Sequence, residues 1–382
     1  MQEFKFARAV AASALLSTAL LSMGTATHAV AEGFFDQHNF YEPHNLVSDG
    51  ITPADHTDAN LVNPWGIAFN PTGPVWISNN HSGTSTLYDG DGNIVPLVVK
   101  IPGPITTADP GAPTGIIFSG GTNFVVTVGS ASGPSRFIFA TEQGTIAGWA
   151  PNVDLTHAIT IVDNSKHNAI YKGLTLSAGG NGSLLYATDF HNNKIDVFDG
   201  NFKPVAVTGK FFDPYIPAGF APFGIQTIGG NIYVTYAKQD ADKEDDVRGR
   251  GFGFIDVFDP NGYLLHRVAS RGALNAPWGL AVAPAGFGRF SNCLLVGNFG
   301  DGRISAFDLV TGLFVGQLRG ADHRPLEIEG LWGLAFGNGF AAQPVNTLYF
   351  TAGPLDEEHG IYGRISVKSR PDYDSRFDRE DF

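Results

Sequence analysis

Along this chain, short runs of Val, Ile, Leu and Phe alternate with polar residues at a period of two, and breaks rich in glycine and asparagine separate them. A period of two sends successive side chains to opposite faces of a strand, so the pattern predicts many short strands and few helices. The stretch from Gly173 shows this most clearly. Gly173-Leu174-Thr175-Leu176, Ser183 to Thr188, Lys194 to Asp199 and Pro204 to Val207 read as four consecutive strands, the last an outer edge. Gly179-Gly180-Asn181-Gly182 and Asp199-Gly200-Asn201 supply the turns. The same order returns in Ile255-Asp256-Val257-Phe258-Asp259-Pro260-Asn261-Gly262 and in Ile304-Ser305-Ala306-Phe307-Asp308.

One phrase opens each unit. It stands as Asn63-Pro64-Trp65-Gly66-Ile67, Ala112-Pro113-Thr114-Gly115-Ile116, Ile170-Tyr171-Lys172-Gly173-Leu174, Ala221-Pro222-Phe223-Gly224-Ile225, Ala276-Pro277-Trp278-Gly279-Leu280 and Gly330-Leu331-Trp332-Gly333-Leu334. Its glycines lie 49, 58, 51, 55 and 54 residues apart. Self-similar units of that length predict a single all-β domain, a six-bladed β-propeller of four-stranded blades. The sixth unit has strands at Leu331 to Phe336, Thr347 to Thr351 and Arg364 to Val367, but no outer strand. Phe40 to Val47 is expected to supply that N-terminal strand and close the ring, which removes two exposed sheet edges. This places the propeller at residues 32-368 and a charged, disordered tail at 369-382.

The first 31 residues belong to a different pattern. Lys5 and Arg8 precede an apolar run from Ala9 to Met23, and Ala29-Val30-Ala31 provides the small residues of a cleavage site. This predicts a signal peptide at 1-31 and export to a periplasm or out of the cell, with no membrane insertion after cleavage. Ser13, Ser17, Thr18, Ser22 and Thr25 dilute the run too much for a spanning helix. A single cysteine, Cys293, rules out an internal disulfide and reads as an inert strand residue. The net charge is -13, or -14 without Glu3, Lys5 and Arg8, a surface that repels nucleic acid and anionic lipid and suits cations, neutral ligands or basic partners.

The pattern Pro-x-Gly-Ile, a strand ending in Asn or Asp, and then Ile-x-Val-Phe-Asp-x-x-Gly resembles the NHL-type repeats of six-bladed propellers over about residues 40 to 367. Lys238-Gln239-Asp240-Ala241-Asp242-Lys243 is similar to a run in a group of exported bacterial propellers of no established activity. Among amidating lyases of this repeat class, the resemblance implies metal-binding histidines at the variable residue of the phrase. This chain has none there. Gluconolactonase-like propellers hold a divalent metal with Glu, Asn and Asp around the channel, and Glu329 is the one acidic residue close to the equivalent ring here. A propeller fold by itself carries no function, so the site must be argued from residues.

Two sets of residues are expected to meet at the channel mouth, because inner strands begin there and the loop joining second to third strand returns to the same face. One set is the variable residue of each phrase: Trp65, Thr114, Lys172, Phe223, Trp278 and Trp332. The other comprises Asn79, Asn80, His81, then Asp189, His191, Asn192, then Lys238 and Asp240, then Asn298 and Asp301, and finally Asp356, Glu357, Glu358 and His359. The aromatic ring set reads either as a pocket for a planar or cationic ligand or as a plug of bulky side chains. Lys172 reads either as a catalytic amine whose proton affinity falls on burial, or as an ammonium paired with Asp189 or Glu329.

Metal chemistry is the further expectation. His81, His191 and His359, with Asp189, Glu357 and Glu358 near, form a ligand set for a divalent transition metal such as zinc, iron or copper. Asp240, Asp242, Glu244 and Asp246 alternate along the insert from Gln239 to Gly251 and suit calcium, although the insert lacks the pattern of a twelve-residue calcium loop. There is no phosphate-binding glycine loop, no Gly-x-Ser-x-Gly elbow, no His-Glu-x-x-His helix and no basic and aromatic interleaving. The sequence therefore supports an exported propeller that binds a small molecule or protein partner at an aromatic-lined channel mouth. The alternative is a metal-dependent, lactonase-like hydrolase or lyase acting on a small organic substrate.

Overall fold

The computed structural model describes residues 39–107, 109–179 and 182–369. The expected signal peptide lies outside the described residues, as do residues 370–382 of the expected tail and the centre of the glycine turn after Gly179, while Ser369 belongs to a strand and pairs with Asn39. Six sheets radiate around one axis, and each phrase glycine sits in the innermost strand of its sheet. Blade 1 runs Pro64–Phe69, Val75–Asn79, Thr84–Tyr88 and Ile94–Lys100 from the axis outward. Blade 4 runs Phe220–Ile228, Asn231–Lys238, Gly253–Phe258 and Leu264–Ser270, and blade 5 runs Pro277–Val282, Cys293–Asn298, Ile304–Asp308 and Phe314–Gln317. Blade 2 has the same four layers, Pro113–Phe118, Phe137–Thr141, Thr145–Trp149 and Ile159–Asp163. It also inserts a hairpin, Val125–Val128 with Ala131–Pro134, between its first two strands.

Closure follows the expected route. Leu331–Phe336, Leu348–Ala352 and Ile361–Ser369 of blade 6 are completed by Asn39–Ser48, which pairs antiparallel to the third strand from Asn39 opposite Ser369 to Ser48 opposite Ile361. The N-terminal strand thus fastens the last blade, and Tyr41 anchors it further by donating from its hydroxyl to the Phe287 carbonyl of blade 5 at 3.0 Å. Blade 3 departs from the regular plan. Tyr171–Gly179, Gly182–Asp189 and Lys194–Phe198 form its sheet, but Pro204 to Val207 meets it through a single bridge between Phe198 and Pro204. Pro204 has no N–H to give, and Lys210 and Phe211 then turn the chain with positive φ. Val205 and Val207 still cover the apolar space between blades 3 and 4.

Apolar side chains pack between neighbouring blades in a ring of clusters, with Tyr, Phe and Trp filling the wide outer spaces. Cys293 is buried in one of them, and burial pushes its thiol up. Near the axis there is no room for side chains between blades. A Cβ on Gly66 would stand less than 3.0 Å from the Thr114 carbonyl of the next blade. The same holds for Gly115 against Leu174, Gly173 against Phe223, Gly224 against Trp278, Gly279 against Trp332 and Gly333 against Trp65, which completes the circle. None of these six glycines has positive φ, so close approach and not backbone conformation requires them.

Each inner strand also bulges at its phrase, with register shifts between Pro64 and Ile67, Pro113 and Ile116, Tyr171 and Gly173, Pro222 and Ile225, Pro277 and Leu280, and Leu331 and Leu334. The bulge takes the variable residue out of the regular ladder of its own sheet. Threonines of the second strands tie this geometry down: Thr351 accepts from the Gly333 N–H and donates to the Trp65 carbonyl at 2.6 Å, and Thr188 does the same between Gly173 and Phe223. Gly224→Ala should therefore destabilise the fold by about 3 kcal/mol through overpacking against Trp278. Gly121→Ala, where the added methyl meets only open surroundings, should be near neutral in the same urea-unfolding measurement.

Candidate functional site

The six variable residues converge at one end of the channel, and all six are buried. Trp65 stacks on Trp332 with centroids 3.5 Å apart, and Trp332 stacks on Phe299 at 3.9 Å. Trp278 stands edge-on to both tryptophans at 6.0 and 5.7 Å, and Phe223 tilts against Trp332 at 5.9 Å. Of the two readings of the aromatic set, the rings adopt the plug. Hydrogen bonds lock it across the channel: Trp278 Nε1 donates to the Lys172 carbonyl at 3.1 Å, and Trp332 Nε1 donates to Asn63 Oδ1 at 3.2 Å. Thr114 is spent on structure, its hydroxyl donating to the Tyr171 carbonyl at 2.7 Å.

Phe299 was not among the expected ring residues, and the reason is positional. In all six blades, the residue just after the second strand sends its N–H back to the carbonyl in front of the inner-strand pairing: Asn80, Glu142, Phe190, Gln239, Phe299 and Gly353. Aligning that position in the sequence exposes a second ring of side chains. Phe190 and Phe299 extend the plug, while Asn80 and Glu142 make the side toward blades 1 and 2 polar.

Lys172 sits on that polar side. Its ammonium is 1% exposed, donates to Glu142 Oε1 at 2.5 Å and Asp245 Oδ1 at 3.0 Å, and lies over the Trp65 ring at 5.1 Å. Neither expected partner is used, since Asp189 and Glu329 are engaged elsewhere. Burial by itself lowers the proton affinity of the amine, but the Glu142 and Asp245 charges more than offset it and hold the pKa above the ordinary lysine value. Lys172 is therefore a fixed ammonium, the opposite of the lowered amine that a base or carbonyl nucleophile requires. Glu142 is itself oriented by Asn80, whose Nδ2 donates to Oε2 at 2.9 Å.

The acidic insert forms the roof. Asp240, Asp242, Glu244 and Asp246 do not gather as the alternating pattern suggested: Asp240 accepts from the Glu244 N–H within the loop, Asp242 and Glu244 face solvent, and Asp246 turns inward. Asp245 pairs with Lys172, and the Arg248 guanidinium lies over the Phe299 ring at 4.6 Å. The result is an aromatic column, Trp65, Trp332 and Phe299, with a cation against each end. Asp246 Oδ2 is buried with no hydrogen-bond partner, and burial pushes its carboxyl up to about 7, opposed by Lys172 and reinforced by Glu357. Glu357 enters from the blade 6 loop, accepts from Asn63 Nδ2 at 2.9 Å and is also raised, chiefly by burial.

The loop histidines do not meet. His81 is exposed, His191 is partly buried with Nδ1 unpartnered, and His359 is drawn to the N-terminal segment by Asp49 at 2.6 Å. Asp189 braces its own loop through the Ile170 and Asn192 N–H groups. Among the described residues, no three His, Cys, Asp or Glu side chains form a group that could hold a metal ion. Asp189 ends its second strand opposite Tyr171 as Asn298 does opposite Pro277, and Asn298 likewise accepts from the Asn275 N–H, so these side chains serve the loops.

Below the plug, the channel narrows to about 40 Å³ beside the phrase glycines and then opens on the far face as a funnel of about 550 Å³. Its wall, around Phe69, Phe118, Gln226 and Phe336, carries no ionisable side chain. A cleft of about 610 Å³ lies apart from both, between blades 1 and 2 beside Ile101, Pro104 and Ile159. Neither contains the buried charges, which belong to the plugged mouth.

No family model matches the chain. It is 36% identical over 331 residues to uncharacterized protein R648 of Acanthamoeba polyphaga mimivirus, covering 84% of this chain and 78% of the relative. It is 35% identical over 327 residues to uncharacterized protein L690 of the same virus, covering 84% of each. A crystal structure of a protein of unknown function from Bacteroides thetaiotaomicron superposes with a TM-score of 0.54 and 13% identity over 86% of this chain and 76% of that one, a likeness of fold.

Two outcomes follow for the mouth. Glu142→Ala should cost roughly 3 kcal/mol in chemical unfolding, because it strips a partner from a buried ammonium, whereas Asp245→Ala, at an exposed carboxylate, should cost under about 1 kcal/mol. Asp246 holds a proton in the fold that the unfolded chain releases near pH 4, so its contribution is lost as pH rises from about 4 through 7. Asp246→Asn should therefore match the parent near pH 4 and exceed it by about 1 kcal/mol or more at pH 8, read from unfolding curves at the two pH values.

Proposed function

We propose that this chain, which belongs to the family that includes the mimiviral proteins R648 and L690, is a binding propeller that takes a small molecule or protein partner at the mouth of its channel. The observation that carries this reading is the convergence of ionisable side chains from four blades, Glu142, Lys172, Asp245 with Asp246, and Glu357, on top of an aromatic plug. Buried charge costs stability that an apolar plug would not, and groups with displaced pKa values concentrate where proteins bind or react. The ligand is held on the plug and not inside it, since the rings leave no space between them. The same reading places the protein outside the cytoplasm after removal of residues 1 to 31.

A second reading is a hydrolase or lyase for a small organic substrate, and Asp246 favours it: a carboxyl near 7 beside a fixed ammonium is matched to proton transfer at neutral pH. In that case, activity follows Asp246 and not a loop-histidine metal.

Tryptophan emission tests the binding reading directly, because Trp65, Trp278 and Trp332 floor the site. Compounds that bind there should shift the emission and raise the unfolding temperature, and Glu142→Gln with Asp246→Asn should remove both effects. Ligands whose binding survives that double substitution would locate the site elsewhere, and a substrate turned over with an Asp246-dependent pH profile would favour the enzyme.

A further inference from the structure

Resting on the reading that the mouth is the binding site, we infer that its ligand carries an organic ammonium group, held by Asp246 and Glu357 beside the ammonium of Lys172. Four carboxylates, Glu142, Asp245, Asp246 and Glu357, act on one another across this mouth, against two cations, Lys172 and Arg248. Glu142 and one oxygen of Asp245 are consumed by Lys172, and Arg248 is committed to the face of Phe299. Once Asp246 is ionised, above about pH 7, that leaves negative charge without a matching cation on the Asp246 and Glu357 side.

Hydrogen bonding shows the same deficit independently. Asp246 Oδ2 is a buried acceptor with no donor. Buried polar atoms of this kind mark a place that is completed by something else. An anion would face the carboxylates, and a neutral group would leave their charge uncompensated. A metal ion is disfavoured because the acids do not gather into a ligand shell among the described residues. An ammonium offers three donors, fits carboxylate oxygens arriving from different directions, and repeats the pairing by which two other acids of this mouth hold Lys172.

Binding is then linked to protons. Asp246 is faced by Lys172 from the inner strand of blade 3, by Glu357 from blade 6 and by Asp245 and Arg248 from its own loop. A ligand cation adds to Lys172 and Arg248 and drives the proton off Asp246, so affinity for an ammonium should rise from pH 6 to pH 8.

Calorimetry on the mature chain with 1,5-diaminopentane and with 1,5-pentanediol tests this, at pH 6 and pH 8 and in two buffers of different ionisation heat. The diamine is expected to bind at least about tenfold more tightly than the diol, to release protons at pH 6 and to tighten toward pH 8. Asp246→Asn should abolish the proton release, and Glu357→Gln should weaken the diamine about tenfold without abolishing it. Equal binding of diamine and diol, or diamine binding untouched by both substitutions, overturns the ammonium assignment. If the diamine fails while a neutral or anionic compound still shifts the tryptophan emission in a Glu142-dependent way, the ammonium class is wrong and the binding mouth stands. If no compound of any charge acts at the mouth, the mouth reading fails as well.

Discussion

The structure depends on a circle of close contacts at the axis, where the glycine of each phrase lies against the backbone of the next inner strand and the sixth returns to the first. Six inner strands brought that near leave no volume for a Cβ, and the bulge beside each glycine takes one residue out of its own ladder. Two consequences follow from the same geometry. The blades splay outward from a tight hub, so large aromatic residues are needed in the wide outer spaces between them. The side chains freed by the bulges must share one small volume at the channel mouth, and whatever stands at the variable position becomes either plug or site.

This chain makes both from one ring. Four aromatic residues at the variable positions, joined by Phe190 and Phe299 from the second ring, fill the mouth with stacked and edge-on contacts. Lys172 interrupts the apolar ring and imports charge. An ammonium that deep is tolerable only with carboxylates at hydrogen-bond distance, which is why Glu142 and Asp245 close on it from two other blades. The long insert of blade 4 then has a physical role as the roof of the plug, giving Asp245 to one end of the aromatic column and Arg248 to the other. Asp246 turns inward as well, whereas Asp242 and Glu244 stay in solvent, so its unusual composition reflects one inward edge and one outward edge.

Beneath the plug the channel is blind. The hub that excludes side chains also narrows the passage to about 40 Å³, so the mouth and the funnel on the far face are separate environments, one ionic and one without charge. Chemistry at the mouth is thus set by side chains of neighbouring blades and is insulated from the funnel by close-packed rings.

Period, phrase spacing and the missing outer strand of the sixth unit determined by themselves that the chain is a six-bladed ring closed by residues near Phe40, because strand alternation and edge closure are local and countable. They also identified which six residues meet at the mouth. Tertiary structure alone decided what those residues become there. Lys172 is paired to Glu142 and Asp245, not Asp189 or Glu329; Asp246 faces inward while Asp242 and Glu244 do not; and His81, His191 and His359 stay apart. Pro204 to Val207 shows the same limit in the fold, where strand-like residues are held to a single bridge by a proline and the turn that follows. The reason is common to all of these. Periodicity reports how a residue sits on its own strand, whereas partner choice, burial and proton affinity depend on loops from other blades, whose approach no repeat encodes.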